Sequence, residues 1–131
     1  MAYDFELSTV LPASPEAVFE AWMSSAGHSA MTGTECTIDP RPGAEYVAGD
    51  GYITGKTVAL DPGRRIVQTW RTVEFPDSDP DSEIEVLLEP EDGGTRLTLH
   101  HRNVPDGQLG YEHGGWQENY FDPMRDYFSG R

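Results

Sequence analysis

Residues 106–131 read DGQLGYEHGGWQENYFDPMRDYFSGR, and this stretch decides the fold. From residue 109 on, a stripe of large side chains is read at Leu109, Trp116, Tyr120, Phe121, Met124, Tyr127 and Phe128. Their gaps are sums of three and four, which gathers them on one side of a helix. Gly107, Gly110, Gly114 and Gly115 dilute the first half of that helix, each at up to about 1 kcal/mol against alanine. Pro123 removes an N–H and collides with the preceding turn, at roughly 3 kcal/mol in an unbroken helix. Asp122 before it has the chemistry of a cap for a fresh start with Pro123 at the first position, so a bend or break is expected there. An aromatic stripe either packs a core or roofs a cavity.

Upstream of this helix the chain reads mainly as strands. Residues 3–11, YDFELSTVL, alternate with Tyr3, Phe5 and Leu7 on one side. Ser14-Pro15-Glu16 is a helix start, with Ser14 as cap and Pro15 at the first helical position, running to about Met23. Residues 24–33 make a second, poorer helical turn or loop ending at Gly33. Strand words follow at 34–38, 44–48, 52–60, 65–75, 83–89 and 95–104, with Gly55 as an expected bulge. The turns between them are PRPG, GDG, DPGR, an acidic loop at 76–82, and PEDGG. Strands joined by short turns form an antiparallel sheet, and an amphipathic helix must bury its stripe against it. The expected class is α+β, a curved antiparallel sheet of about six or seven strands on a long C-terminal helix, with two short helices after strand 1.

Composition narrows the function. The chain has 131 residues, 23 acidic side chains against eight Arg and one Lys (Lys56), and a formal charge of −14. A surface this acidic repels phosphate backbones, so no nucleic-acid partner is expected. No run approaches the ~20 apolar residues of a membrane span, and MAYDFELSTV lacks a signal peptide's basic start and apolar block. Cys36 stands alone, which excludes an internal disulfide; with no signal peptide this points to the cytoplasm. In TECTI it reads as a small apolar filler.

Strand parity yields candidate site residues. Ile66, Gln68 and Trp70 share an inward face, as do Ile84, Val86 and Leu88; Leu97 and Leu99 continue to His101, while His100 faces out. His113 lies three residues before Trp116 and borders the stripe. These place a ligand pocket between Trp70, Trp116 and Tyr120, with Gln68, His101 and His113 as polar contacts. The alternative is that His101 and Gln68 are satisfied within the core. The histidines lack metal-ligand spacing and no nucleophile elbow or phosphate loop occurs, so no metal, cofactor or catalytic residue is assigned. Proton transfer by an inward histidine on a carbonyl substrate is the catalytic variant.

Four pieces carry a family resemblance: SPEAVFEAWMS at 14–24, GKTVALDPGRRIVQTWR at 55–71, GTRLTLHHRNVPD at 94–106 and GGW at 114–116. In this order they resemble the START-like (SRPBCC, helix-grip) superfamily, in the branch named for the activator of the heat-shock-protein-90 ATPase. The resemblance implies one helix-grip domain over 1–131 and a cavity for a small apolar molecule. It also departs from the family pattern, because Pro123 sits where relatives usually continue the helix. The separate domain with which the eukaryotic co-chaperone helps engage its chaperone has no counterpart here. The function expected is a non-catalytic carrier or sensor of a small apolar ligand, as monomer or homodimer. The alternatives are a cyclase- or hydrolase-type enzyme using the same cavity, and a co-chaperone-like or regulator-associated interaction module with a protein partner, in stress response.

Overall fold

The computed structural model describes residues 2–105, 107–108 and 110–130. β1 (Tyr3–Leu11) leads to α1 (Pro15–Trp22) and α2 (Ser25–Thr32). Then follow β2 (Glu45–Ala48), β3 (Ile53–Asp61), β4 (Arg65–Thr72), β5 (Ser82–Glu91) and β6 (Gly94–Val104). The described strands form one curved antiparallel sheet in the order β1-β6-β5-β4-β3-β2. Only the β1–β6 neighbours are distant in sequence; every other pair is a local hairpin.

Both short helices begin as their sequences dictate. Ser14 Oγ accepts from Ala17 N at 3.2 Å with Pro15 just inside α1, and Ser24 Oγ accepts from Gly27 N at 2.7 Å. Gly33 ends α2 with φ 75°, a left-handed conformation that costs glycine nothing. The second segment is thus a true helix, with His28 and Met31 on its buried face.

The inward sheet face is the one that parity selects. Ile66, Gln68, Trp70, Ile84, Val86, Leu88, Leu97, Leu99 and His101 are all buried. α1 covers β5 and β6, α2 packs on the C-terminal helix, and that helix ends against β1. Two strand expectations are corrected. TECTI forms no strand; a single bridge pairs Thr37 with Val47, and Cys36 is buried in the core. The β3–β4 irregularity falls between Thr57 and Ala59, not at Gly55. Gly55 serves close approach instead, because a Cβ there would lie 2.0 Å from the Thr69 carbonyl oxygen.

The C-terminal helix departs most from expectation. Tyr111–Gly115 and Gln117–Phe121 are π-helical, and α3 (Asp122–Phe128) is α-helical. The expected break at Asp122 is absent: Phe121 (φ −62°, ψ −46°) and Asp122 (φ −66°, ψ −49°) are both helical. Asp122 is no cap either; its carboxylate accepts from Gln117 Nε2 at 2.6 Å. Pro123 sits where hydrogen bonding switches from i−5 to i−4, and the wider turn before it accommodates both its ring and its missing N–H. The irregularity falls earlier, at His113 (φ −107°, ψ 22°) and Gly114 (φ 147°). Trp116, Tyr120, Phe121 and Met124 are buried, whereas Tyr127 leaves the core. Leu109, the first residue of the predicted stripe, lies outside the described residues.

Candidate functional site

A cleft of about 360 Å³ lies between the C-terminal helix and the sheet. The helix contributes Tyr111, Trp116, Tyr120 and, toward solvent, Glu118, Asn119 and Pro123. The sheet contributes Ile53 and Trp70, and the preceding 3₁₀ turn adds Tyr52. The end of α2 closes one side with Thr32 and Thr34.

The floor is a continuous aromatic run. Ring centroids are 5.2 Å apart for Trp22–Tyr120, 4.9 Å for Tyr120–Trp116, 5.5 Å for Trp116–Trp70 and 5.2 Å for Trp70–Tyr111. These tilted and edge-on arrangements suit the quadrupoles of the rings. Along the helix Trp116 and Tyr120, four residues apart, bring their rings together at the start of the π-helical Gln117–Phe121 turn.

Two histidines hold this floor from beneath, each with a tautomer its partners dictate. Trp116 Nε1–H donates to His101 Nδ1 at 3.1 Å, so the His101 proton is on Nε2. Nε2–H donates to Ser82 Oγ at 2.8 Å, and the Ser82 hydroxyl donates to the Trp70 carbonyl at 2.7 Å. Burial lowers the His101 pKa to about 3, more than the attraction of Asp4 raises it. On the other side, His28 Nδ1–H donates to the Trp22 carbonyl at 2.9 Å. His28 Nε2 therefore accepts from the Tyr120 hydroxyl at 2.7 Å. Burial lowers the His28 pKa and raises that of Tyr120, so both groups are neutral.

Gln68 belongs to a third buried group. Its Oε1 accepts from Trp22 Nε1–H at 3.1 Å, and its Nε2 donates to Thr57 Oγ1 at 3.2 Å. No buried side-chain nitrogen or oxygen among the described residues lacks a partner.

Of the six residues selected from sequence, Trp70, Trp116 and Tyr120 line the cleft together. His101 and Gln68 lie behind those walls, each held by protein partners, and they do not meet. His113 is turned to solvent, its side chain 82% exposed beside Glu112. The sequence reading missed Tyr52, Tyr111 and His28. Tyr52 follows a turn and Tyr111 precedes the irregular helical turn, where periodicity carries no signal. His28 was detectable only through its i, i+3 spacing from Met31. Among the described residues no three His, Cys, Asp or Glu side chains group as metal ligands, and no helix is long and apolar enough to cross a membrane.

The family model described as "Activator of Hsp90 ATPase homolog 1-like protein" matches residues 12–129. The human "Activator of 90 kDa heat shock protein ATPase homolog 1" is 25% identical over 115 residues, covering 88% of this chain and 34% of its own length. A Dictyostelium discoideum homologue of that activator is 25% identical over 118 residues, covering 88% and 30%. The chain thus spans about a third of the length of the curated relatives it matches. The crystal structure of an HSP90 activator from Plasmodium falciparum superposes with a TM-score of 0.87 at 21% identity, covering 97% of this chain and 96% of that one. CalU16 from Micromonospora echinospora superposes with a TM-score of 0.79 at 25% identity, covering 98% and 77%. With the family match running from the turn after β1 to the end of α3, the chain belongs to the Activator of Hsp90 ATPase homolog 1-like family.

Proposed function

We propose that this chain is a non-catalytic carrier or sensor that holds a small, largely apolar molecule in the cleft between its C-terminal helix and its sheet. The observation that carries the reading is the cleft itself, about 360 Å³ and walled by Trp70, Trp116, Tyr111 and Tyr120. That volume is within the range of small-molecule sites, and apolar walls with few polar groups are their usual chemistry. Catalysis by the inward polar residues is the weaker reading. His101 and Gln68 have their hydrogen-bonding atoms committed to protein groups and are absent from the lining. A general acid or base needs a proton site within reach of the substrate. A protein partner is the second reading, favoured by the activator named among the relatives. Its whole activity belongs to a chain about three times longer. The domain is read as spanning 1–131, acting in the cytoplasm as monomer or homodimer.

The test is titration with the uncharged dye N-phenyl-1-naphthylamine, chosen because an anionic dye would be repelled by a chain of charge −14. Saturable fluorescence enhancement and quenching of tryptophan emission are expected. Asn119→Trp, at an exposed rim position, fills the cleft mouth and is expected to weaken binding at least about tenfold. An absence of saturable binding, with the fold intact by circular dichroism, would contradict the proposal.

A further inference from the structure

The hydrogen-bond inventory of the cleft is lopsided. Tyr52 donates its hydroxyl hydrogen to Glu74 Oε2 at 2.7 Å. Tyr111 donates to Gln108 Oε1 at 3.1 Å, and Tyr120 is committed to His28. Thr32 donates to the His28 carbonyl at 2.8 Å, so in the 2.9 Å Thr32–Thr34 contact Thr34 is the donor. Asn119 gives one N–H to the Gly115 carbonyl at 2.9 Å. The hydroxyl hydrogens of the lining are therefore used within the protein, and what the hydroxyls still offer a ligand is lone pairs. The unengaged side-chain donors are uncharged: the Trp70 indole N–H and the second N–H of Asn119.

Charge is lopsided in the same sense. Among the described residues no Arg, Lys or His lines the cleft, and the one carboxylate in the lining is Glu118 at the rim. Among the described residues that carboxylate has neither a hydrogen bond nor an ion pair. Glu74 adds a second negative charge just behind Tyr52. The same lining carries two tryptophans and three tyrosines, and the electron-rich faces of such rings are the surroundings in which organic cations are held.

We propose that the ligand is an organic cation, an aromatic or similarly flat apolar body bearing a protonated amine, with the body among Trp70, Tyr111 and Trp116 and the amine toward Glu118. This deepens the binding reading above and rests on it. An anionic ligand would meet no cation and an uncompensated carboxylate. A neutral apolar ligand would leave the acceptor oxygens without donors, which is the larger loss when polar groups are covered. The charge of −14 raises the local concentration of cations and makes the preference salt-sensitive.

The experiment is a calorimetric and NMR titration of the full chain with three matched probes: 1-naphthylmethylammonium, 1-naphthalenemethanol and 1-naphthoate. The ammonium is expected to bind about tenfold more tightly than the alcohol, and the carboxylate more weakly than either. Glu118→Gln, at an exposed residue without protein partners, should bring the ammonium and alcohol affinities together by about threefold, and about 0.5 M salt should act likewise. If ammonium and alcohol bind equally, or the carboxylate binds best, the cation proposal fails while the binding reading stands. If none of the three shifts the Trp70 indole resonance, both fail. An ammonium preference that survives Glu118→Gln and high salt unchanged overturns the assignment to this carboxylate.

Discussion

His101 and His28 illustrate how a buried polar side chain is made tolerable. Each is neutral, and each has both ring nitrogens satisfied by groups whose own chemistry leaves one choice of tautomer. Unfolding returns both to water, where a histidine titrates near about 6.5. Below that pH the unfolded chain takes up protons that the folded chain, with His101 at about 3 and His28 lowered, refuses. Their contribution to stability is therefore full above about pH 6.5 and drains as the pH falls, by up to about 1.4 kcal/mol per pH unit for each histidine. Urea midpoints measured from about pH 7 to about pH 5 should fall accordingly, and the slope should lessen in His101→Gln; a flat profile contradicts the account. Gln68 tests the neighbouring group. Gln68→Leu keeps the volume but strands the Trp22 indole N–H, and should cost about 1–3 kcal/mol in the denaturant midpoint. A neutral outcome would mean that Trp22 finds another acceptor.

The elements differ in how much of them the sequence discloses. Strands β4, β5 and β6 were legible because alternation names a face, and Ile84, Val86 and Leu88 obey it without exception. α1 was legible from Ser14 and Pro15, whose roles are local. The C-terminal helix was legible as a helix but not in its register. Side chains spaced in threes and fours suit an α turn, whereas the chain from Tyr111 to Phe121 is largely π-helical and buries Trp116, Tyr120 and Phe121 together. Sequence reasoning charged Pro123 with a helix break that the wider turn renders unnecessary. Pro123→Ala should therefore stabilise the chain by less than about 1 kcal/mol, not the roughly 3 kcal/mol expected for relieving a proline in a regular α-helix. Thermal unfolding of the two forms measures the difference, and a gain near the larger figure would show that the proline is strained.

At the scale of the molecule, the sheet and the C-terminal helix enclose two different regions. One is filled by the aromatic run and the three polar networks beneath it. The other is the cleft, at the end where Tyr52, Thr34 and the π-helical turn carrying Tyr111 and Gly115 meet. The sequence indicated that helix and sheet would face each other through Trp70, Trp116 and Tyr120. It did not indicate that His101 and Gln68 would be consumed by the core, because strand parity gives a side chain's face but not its partners. The net charge, the aromatic walls and the absence of cations from the described lining bear on one proposal, that the space between helix and sheet takes a ligand. The most direct measurement is the set of tryptophan indole N–H resonances in a ¹H–¹⁵N spectrum, recorded while naphthalene-based probes are titrated. Trp70, whose indole N–H has no protein partner among the described residues, should shift saturably with the bound fraction, and Trp116 with it. Indole resonances that stay fixed through the titration with every probe, in a chain that remains folded, would mean that the cleft takes no ligand of this class.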